Sequence, residues 1–169
     1  MNVVDYDDCA YPIRNEFAQS HTRYWQRLSG AGSWFSSQQR IDLAREVRSA
    51  SACAFCAERK AAVSPAMVCG AHTCVSDLPE AVVEAAHRIT TDAARLTQSW
   101  YQRLLDDGLS EGQYIEIVGT VVAMVSIDNF ARAIGVALRP LPDPGPGEPD
   151  HYRPERIEQG PDAWVPMVP

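Results

Sequence analysis

Two cysteines three residues apart, Cys53 and Cys56, stand in an alanine-rich stretch that Arg59 and Lys60 follow directly. On a helix, residues at this spacing lie on one face, close enough for the two thiols to form a disulfide or to bind one metal ion. The ammonium group of Lys60, one helical turn after Cys56, could stabilise a Cys56 thiolate. The spacing therefore indicates thiol redox chemistry, with two buried cysteines that act only as small apolar side chains as the alternative.

Three further residues are candidates for proton transfer. His72 lies in a predicted loop, where it is either an acid or base over the thiols or an ordinary surface histidine. His87 lies on a predicted helix among apolar residues, a position typical of a structural histidine that also makes it a site candidate. Glu116 is flanked by apolar residues, and partial burial would raise its pKa towards a range useful for proton transfer, whereas an exposed glutamate would have no such role.

A zinc site is an alternative use of the same thiols. The chain has enough soft ligands for tetrahedral coordination, namely Cys53, Cys56, Cys69, His72 and Cys74. Zinc knuckles, however, favour turn residues between the first two cysteines, and Ala54 and Phe55 are not turn residues. We therefore expect no metal and no other cofactor.

The segments that must position these residues are predicted to be helical. Ser36 and Gln39 form a capping-box pattern that begins a helix with an apolar stripe. Residues 49–52 leave two possibilities open, a continuous helix to Val63 or a break before Cys53. We favour the break, which would place Cys53 in a first turn, where unpaired amides and the helix dipole stabilise a thiolate. Such a break would also spoil any alignment of Glu46 with the thiols.

The apolar spacing along the whole sequence predicts an all-α fold of six to eight helices. Further helical segments are expected at 13–28, from Pro79, from Asp92 to Leu104, and from Ser110 to about Gly135, and no segment alternates like a strand. A shift of 74 residues aligns the capping boxes at Ser36 and Ser110 and the apolar positions that follow them. The pattern predicts a helical bundle with an internal helical-hairpin repeat.

The domain organisation changes near residue 139. Residues 1–138 are predicted to form the helical domain, whereas residues 139–169 hold nine of the twelve prolines and should run extended. This tail still contains large apolar side chains, namely Tyr152, Trp164, Val165 and Met167. We therefore expect the tail to pack on its own domain or on a neighbouring subunit.

Composition narrows the classes of partner. The chain has 169 residues and a formal net charge of −7, without a stripe of lysine and arginine, which argues against nucleic acid and anionic membranes. The longest apolar run, 121–125, is far shorter than a membrane span. The acidic N-terminal residues lack the pattern of a signal peptide, so we expect a cytoplasmic protein whose five cysteines are reduced, reactive or metal-bound.

Four segments together resemble a known family. These are the Cys-x-x-Cys pair after a capped helix, the sequences at 84–88 and 92–100, the long helix at 108–135 and the ending at 163–167. Over residues 36–138 the chain resembles the alkylhydroperoxidase D-like branch of the carboxymuconolactone decarboxylase superfamily, and its ending is similar to that of peroxidase-related members.

The resemblance implies an oligomeric, all-helical thiol peroxidase. By position, Cys56 would attack a small-molecule hydroperoxide, Cys53 would resolve the sulfenic acid into a disulfide, and a dithiol partner would reduce the disulfide. Lys60 stands where such peroxidases have a histidine, and Ile41 where they have a glutamate. The alternatives are a cofactor-free lyase or isomerase on the same scaffold, using His72, His87 or Glu116, and a non-catalytic helical assembly protein.

Overall fold

Six α-helices make up most of the regular structure in the part of the chain that this computed structural model describes, residues 3–158, 160 and 163–167. They are α1 (Asn15–Leu28), α2 (Ser37–Ser49), α3 (Ala54–Ala61), α4 (Glu80–Asp92), α5 (Gln98–Asp106) and α6 (Glu111–Ala133). Short 3-10 turns lie at Ala50–Ala52, Pro65–Met67 and Ala93–Arg95. Among the described residues the only strand-like pairing is an isolated bridge between Glu158 and Met167. The predicted all-α class is confirmed.

Helices α2, α4 and α6 pack against one another and form the centre of the core. Their apolar faces bury Ile41, Val83, Ile117 and Met124 almost completely. Helix α6 includes the apolar run 121–125 and is, by length and composition alone, long and apolar enough to cross a membrane. Core helices of soluble proteins pass the same test, and the contacts of α6 with α2 and α4 give its apolar face a protein environment.

The chain breaks between α2 and α3 as the sequence predicts, but α3 begins after Cys53, so this residue does not lie in the first turn as expected. Helix α2 begins at a complete capping box, in which the Ser36 hydroxyl accepts from the Gln39 amide and the Gln39 side chain accepts from the Ser36 amide. After the turn at 50–52, Cys53 has an extended backbone, with φ −72° and ψ 118°, and occupies the N-cap position of α3. Cys56 therefore lies in the first turn of α3, so both thiols stand at the beginning of this helix.

The region between α4 and α5 differs from the sequence-based expectation. Asp92 does not begin the next helix; it ends α4 and forms ion pairs with Arg88 and Arg95. Thr97 caps α5 instead, since its hydroxyl accepts from the Trp100 amide. Arg88 lies one helical turn before Asp92 and Arg95 lies one turn after it. The aspartate therefore pairs with these two arginines and does not cap the next helix.

Beyond α6 the described chain runs without helix across the surface of the bundle. The carbonyl of Pro140 accepts from the Trp25 indole at 2.8 Å. Gly145 donates its amide to the Ser29 carbonyl at 2.6 Å, and its own carbonyl accepts from the Ser37 hydroxyl. Farther along, the Trp164 ring lies edge-on to Tyr101 at 6.0 Å. These contacts join the segment to α1, the residue after it, the start of α2, and α5.

A partly buried ion pair joins α2 to α6. Arg48 donates to both carboxylate oxygens of Asp128, at 2.8 and 2.9 Å, and to the Arg139 carbonyl. The Asp128 side chain is 5% exposed and that of Arg48 19%. The pair fixes the rotation of α2 about its own axis relative to α6, and therefore the direction in which the other faces of α2 point.

Replacing Asp128 with asparagine should destabilise the fold, because the Arg48 charge would remain largely buried without its counter-charge. We expect the free energy of unfolding, measured by urea denaturation, to fall by about 3 kcal/mol, at the low end for a broken buried pair. The matched control is Glu16→Gln, which breaks the exposed pair with Arg14 and should leave the midpoint unchanged. Equal effects of the two substitutions would contradict a structural role for the buried pair.

Candidate functional site

Four of the six site residues proposed from the sequence meet in one cluster. Cys53 and Cys56 come from the beginning of α3, His87 from the middle of α4, and His72 from the loop at 68–79 that connects the two. Their four donor atoms, two sulfurs and two ring nitrogens, all lie within 4.8 Å of one another. We call these four residues the Cys–His cluster.

Both histidines turn Nδ1 towards the sulfurs. The Cys56 Sγ lies 3.3 Å from His87 Nδ1 and 3.4 Å from His72 Nδ1. The Cys53 Sγ lies 3.7 Å from His72 Nδ1 and accepts a hydrogen bond from the Thr73 amide at 3.5 Å. Cys56 is therefore the thiol with contacts to both imidazole rings.

A glutamate carboxylate contacts each histidine on the side of the ring opposite the sulfurs. Glu46, on α2, has no exposed surface, and its Oε2 lies 2.9 Å from His87 Nε2. Its other oxygen accepts from the Val75 amide at 2.9 Å and from the Ser76 hydroxyl at 2.5 Å. Glu46 thus ties α2, α4 and the connecting loop to one carboxylate.

Glu84 supports the second histidine in the same way. Its Oε2 lies 2.7 Å from His72 Nε2 and also accepts from Arg59 at 2.6 Å. Its Oε1 accepts from the Trp100 indole at 2.8 Å. Because Glu84 and His87 are three residues apart on α4, they lie on the same helix face. One face of α4 therefore supplies both the His87 ring of the cluster and the Glu84 carboxylate that supports the His72 ring.

The carboxylates determine which ring nitrogen carries a proton. An ionised carboxylate only accepts hydrogen bonds, so His72 and His87 must each donate from Nε2. Nδ1 then has two possible states. In a neutral ring it presents a lone pair, which can bind a metal ion, and in an imidazolium it donates a proton to a thiolate.

In the absence of a metal, the electrostatics of the cluster favour charged thiolates. Burial raises the pKa of Cys53, but the Thr73 and Cys56 amides and the His72 ring outweigh this effect and lower it to about 6. Burial likewise opposes ionisation of Cys56, and the two histidines bring its pKa below the ordinary value. The low pKa of a thiol next to an imidazolium is the usual property of a reactive cysteine.

The pKa values of the two histidines are raised and those of the two supporting glutamates are lowered, so the charged form of each group is favoured. Burial disfavours the charged form of His72, but hydrogen bonds to Cys56, Glu84 and Cys53 raise its pKa to about 10. Burial raises the pKa of Glu84, and its contacts with His72, Arg59 and Trp100 lower it to about 2. The pKa of His87 is raised and that of Glu46 lowered, in each case against the effect of burial.

The thiols lie behind His72 as seen from a surface cleft. Cys53 and Cys56 are 1% and 4% exposed. A cleft of about 1000 Å³ has His72, Glu84 and Arg59 on one wall and Phe55 and Trp100 close by, but neither sulfur lines it. His72 is therefore the one member of the Cys–His cluster that lines the cleft.

The other two predicted site residues lie elsewhere. Lys60 is exposed, and its charge acts on Asp92. Burial raises the pKa of Asp92, but the nearby cations outweigh this effect and lower the pKa below its ordinary range. The Glu116 carboxylate lies 3.2 Å from Arg40 and accepts from the Trp34 amide at 2.8 Å. Its side chain is partly buried, which is the first of the two alternatives left open by the sequence, but it anchors the loop before α2 and has no contact with the Cys–His cluster.

The ligand set of the sequence-based zinc alternative also changes. Cys69 and Cys74 are exposed and lie outside the four-atom cluster, and His87 completes it instead. Glu46 and Glu84 had no place in the sequence-based site. The i, i+3 spacing of Glu84 and His87 is a signal that could have identified Glu84. The break before Cys53 does not separate Glu46 from the site, because Glu46 reaches the thiols through His87 on the neighbouring helix.

Comparison of the chain with protein-family models, curated proteins and solved structures finds no match. The likeness to alkylhydroperoxidase D-like proteins therefore rests on the sequence segments alone.

Removing the His72 ring should make the thiols less acidic. In a metal-free Cys9→Ser/Cys69→Ser/Cys74→Ser background only Cys53 and Cys56 remain, and ultraviolet thiolate absorbance against pH reports them directly. We expect a first midpoint near the Cys53 pKa of about 6. His72→Gln should shift this midpoint towards about 8.5, the value of a free cysteine.

The control for this titration is Asp106→Asn, at an exposed position of α5, which should leave the curve unchanged. The background protein, which keeps both histidines, provides the decisive comparison. If its first midpoint already lies at about 8.5, the value of a free cysteine, the activation of the thiols is contradicted.

Proposed function

We propose that the chain is a thiol-dependent reductase of small hydroperoxides, with Cys56 as the attacking and Cys53 as the resolving cysteine. The observation that carries the proposal is the contact of Cys56 Sγ with two histidine rings, at 3.3 and 3.4 Å, each backed by a carboxylate. Peroxide reduction needs a thiolate, a proton for the leaving oxygen and a second thiol, and these groups supply all three.

The proposed reaction proceeds in two steps. The Cys56 thiolate attacks the outer oxygen of R–O–OH, the O–O bond breaks, and the leaving alkoxide takes a proton from a histidine, which gives a sulfenic acid and an alcohol. The Cys53 thiolate then attacks the Cys56 sulfur, and hydroxide leaves as water with a second proton. The two cysteines lose two electrons, the peroxide gains them, and a dithiol reductant restores the pair.

The proton relay comes from different positions than in the family that the chain resembles. Lys60 and Ile41 occupy the positions of the family's histidine and glutamate. His87 with Glu46, and His72 with Glu84, place equivalent group types beside Cys56 through neighbouring elements. A histidine supported by a carboxylate is well suited to shuttle a proton in either step.

The buried position of the thiols limits the substrate. The cleft lined by His72 is the proposed entry for the peroxide, and residues 68–74, which carry this ring, lie outside helix and strand. Phe55, Val83 and Leu104 give the cleft an apolar part, and its polar part combines two arginines with three acidic side chains, namely Arg59, Arg103, Glu80, Glu84 and Asp107. This lining favours a small organic hydroperoxide over a bulky lipid one.

Replacing Cys56 with serine should abolish hydroperoxide consumption in an assay coupled to a small dithiol, because serine is not ionised near neutral pH. Cys53→Ser should instead allow one turnover and leave a Cys56 sulfenic acid that dimedone traps and mass spectrometry locates. Cys69→Ser is the matched control and should retain full turnover. Absence of turnover by the metal-free unmodified protein with any hydroperoxide, or full turnover by Cys56→Ser, would refute the proposal.

The histidines, and not Lys60, should control the rate of the peroxide step. We expect His87→Gln to slow single-turnover sulfenic acid formation by about 10²-fold or more, the lower range for loss of general acid–base catalysis. Lys60→Gln should change it by less than a factor of about two, since exposed surface substitutions away from a site have small effects. A large effect of Lys60→Gln would indicate that its side chain reaches the thiols in solution.

A further inference from the structure

We infer that Cys53, Cys56, His72 and His87 form a tetrahedral binding site for a divalent zinc-class ion. The inference goes beyond the proposed redox function, because it needs only the positions of the four donor atoms and holds whether or not the thiols reduce peroxides. The donor set, two sulfurs and two imidazole nitrogens, is one of the standard sets of protein zinc sites.

The distances between the donor atoms match those around a tetrahedral ion. Bond lengths of about 2.3 Å to sulfur and 2.0–2.1 Å to nitrogen place neighbouring donors about 3.3–3.8 Å apart. Three of the four sulfur–nitrogen pairs in the cluster lie in this range, with His72 Nδ1 3.7 Å from Cys53 Sγ and 3.4 Å from Cys56 Sγ, and His87 Nδ1 3.3 Å from Cys56 Sγ. All four atoms lie within 4.8 Å of one another, so the donors form one compact group at which a single ion can be placed.

The surroundings of both histidines also fit a metal site. Metal-binding histidines usually donate their other ring N–H to a carboxylate, which fixes the ring and increases its basicity. His87 does so to Glu46 and His72 to Glu84, at 2.9 and 2.7 Å. Both carboxylates have further donors on their remaining lone pairs, so they are held as supports and do not compete as ligands.

Charge and burial favour tight, closed coordination. Two thiolates neutralise a divalent ion, and the Thr73 amide donates to Cys53 Sγ without competing for the metal. Cys53, Cys56 and His87 are buried, and the His72 side chain is only 6% exposed. With four protein donors around it, the ion would have no open position for substrate, which is typical of structural and storage sites.

Metal and disulfide exclude each other, because both require the lone pairs of the same two sulfurs. If the proposed peroxidase function holds, two zinc-bound thiolates, one hydroperoxide and two protons give a disulfide, an alcohol, water and free Zn²⁺. Zinc would therefore protect the reduced pair and suppress turnover, and oxidation would release the ion. This consequence rests on the proposed function, whereas the binding site itself does not.

The site can be tested by titrating the reduced, metal-free protein with Co²⁺ and then with Zn²⁺. We expect one Co²⁺ per chain, with the intense visible bands of tetrahedral coordination and a thiolate-to-cobalt charge-transfer band, and full displacement by Zn²⁺. Cys53→Ser and His72→Gln should remove the tetrahedral spectrum or weaken binding by at least tenfold. His72 lies on a loop, so His72→Gln keeps the test valid if Cys53→Ser fails to fold.

Two further variants sharpen the result. Cys69→Ser/Cys74→Ser is the matched control and should bind with unchanged affinity and spectrum. Glu84→Gln should weaken Zn²⁺ binding about 10–100-fold while preserving the spectrum, since it alters only the support of His72. Absence of tetrahedral binding at one ion per chain, or tetrahedral binding that survives both Cys53→Ser and His72→Gln, would overturn the inference.

The outcome is separable from that of the proposed function. Tetrahedral Co²⁺ binding by a protein that consumes no hydroperoxide in its metal-free form supports the site and refutes the peroxidase. Hydroperoxide consumption without tetrahedral binding does the reverse. If both are observed, a chromophoric chelator should detect one equivalent of Zn²⁺ released per disulfide formed, and retention of zinc after oxidation would contradict the mutual exclusion.

Discussion

The hydrogen bond between the buried Glu46 carboxylate and the His87 ring is the contact on which the site depends. Neither side chain has exposed surface, so each would carry a large desolvation cost without the other. The same carboxylate holds the loop through the Val75 amide and the Ser76 hydroxyl. The Glu46 carboxylate on α2 therefore positions both the His87 ring on α4 and the loop between α3 and α4. The cysteines at the start of α3 contact that ring and that loop.

Local sequence signals predict the local parts of this arrangement. The capping box at Ser36 and Gln39 has the geometry its residue types imply, because both hydrogen bonds form within four residues. The break before Cys53 is only partly determined locally, because the alanines favour a helix and only the serines suit a cap, and in the structure Cys53 and not a serine occupies the N-cap position. The all-α class follows from apolar spacing along several segments, and no tertiary information is needed for it.

Contacts between distant segments cannot be predicted from one sequence in the same way. Glu46 lies 41 residues from His87, and their contact depends on how α2 packs against α4. Lys60 and Glu116 illustrate the opposite error. Each satisfies a local rule about charge or partial burial, but the side chain of Lys60 lies at the surface and Glu116 pairs with Arg40. Chemical type made them candidates, and packing placed them elsewhere.

The order of these residues along the chain has a consequence for synthesis. Both cysteines precede both histidines, and Glu46 reaches them only after α2 and α4 have docked. During translation and in the unfolded chain, the thiols therefore lack the partners that activate them and retain the low reactivity of free cysteine, with a pKa of about 8.5. Completion of the fold is thus the step that brings the amides and imidazole rings that lower the pKa of both thiols into contact with them.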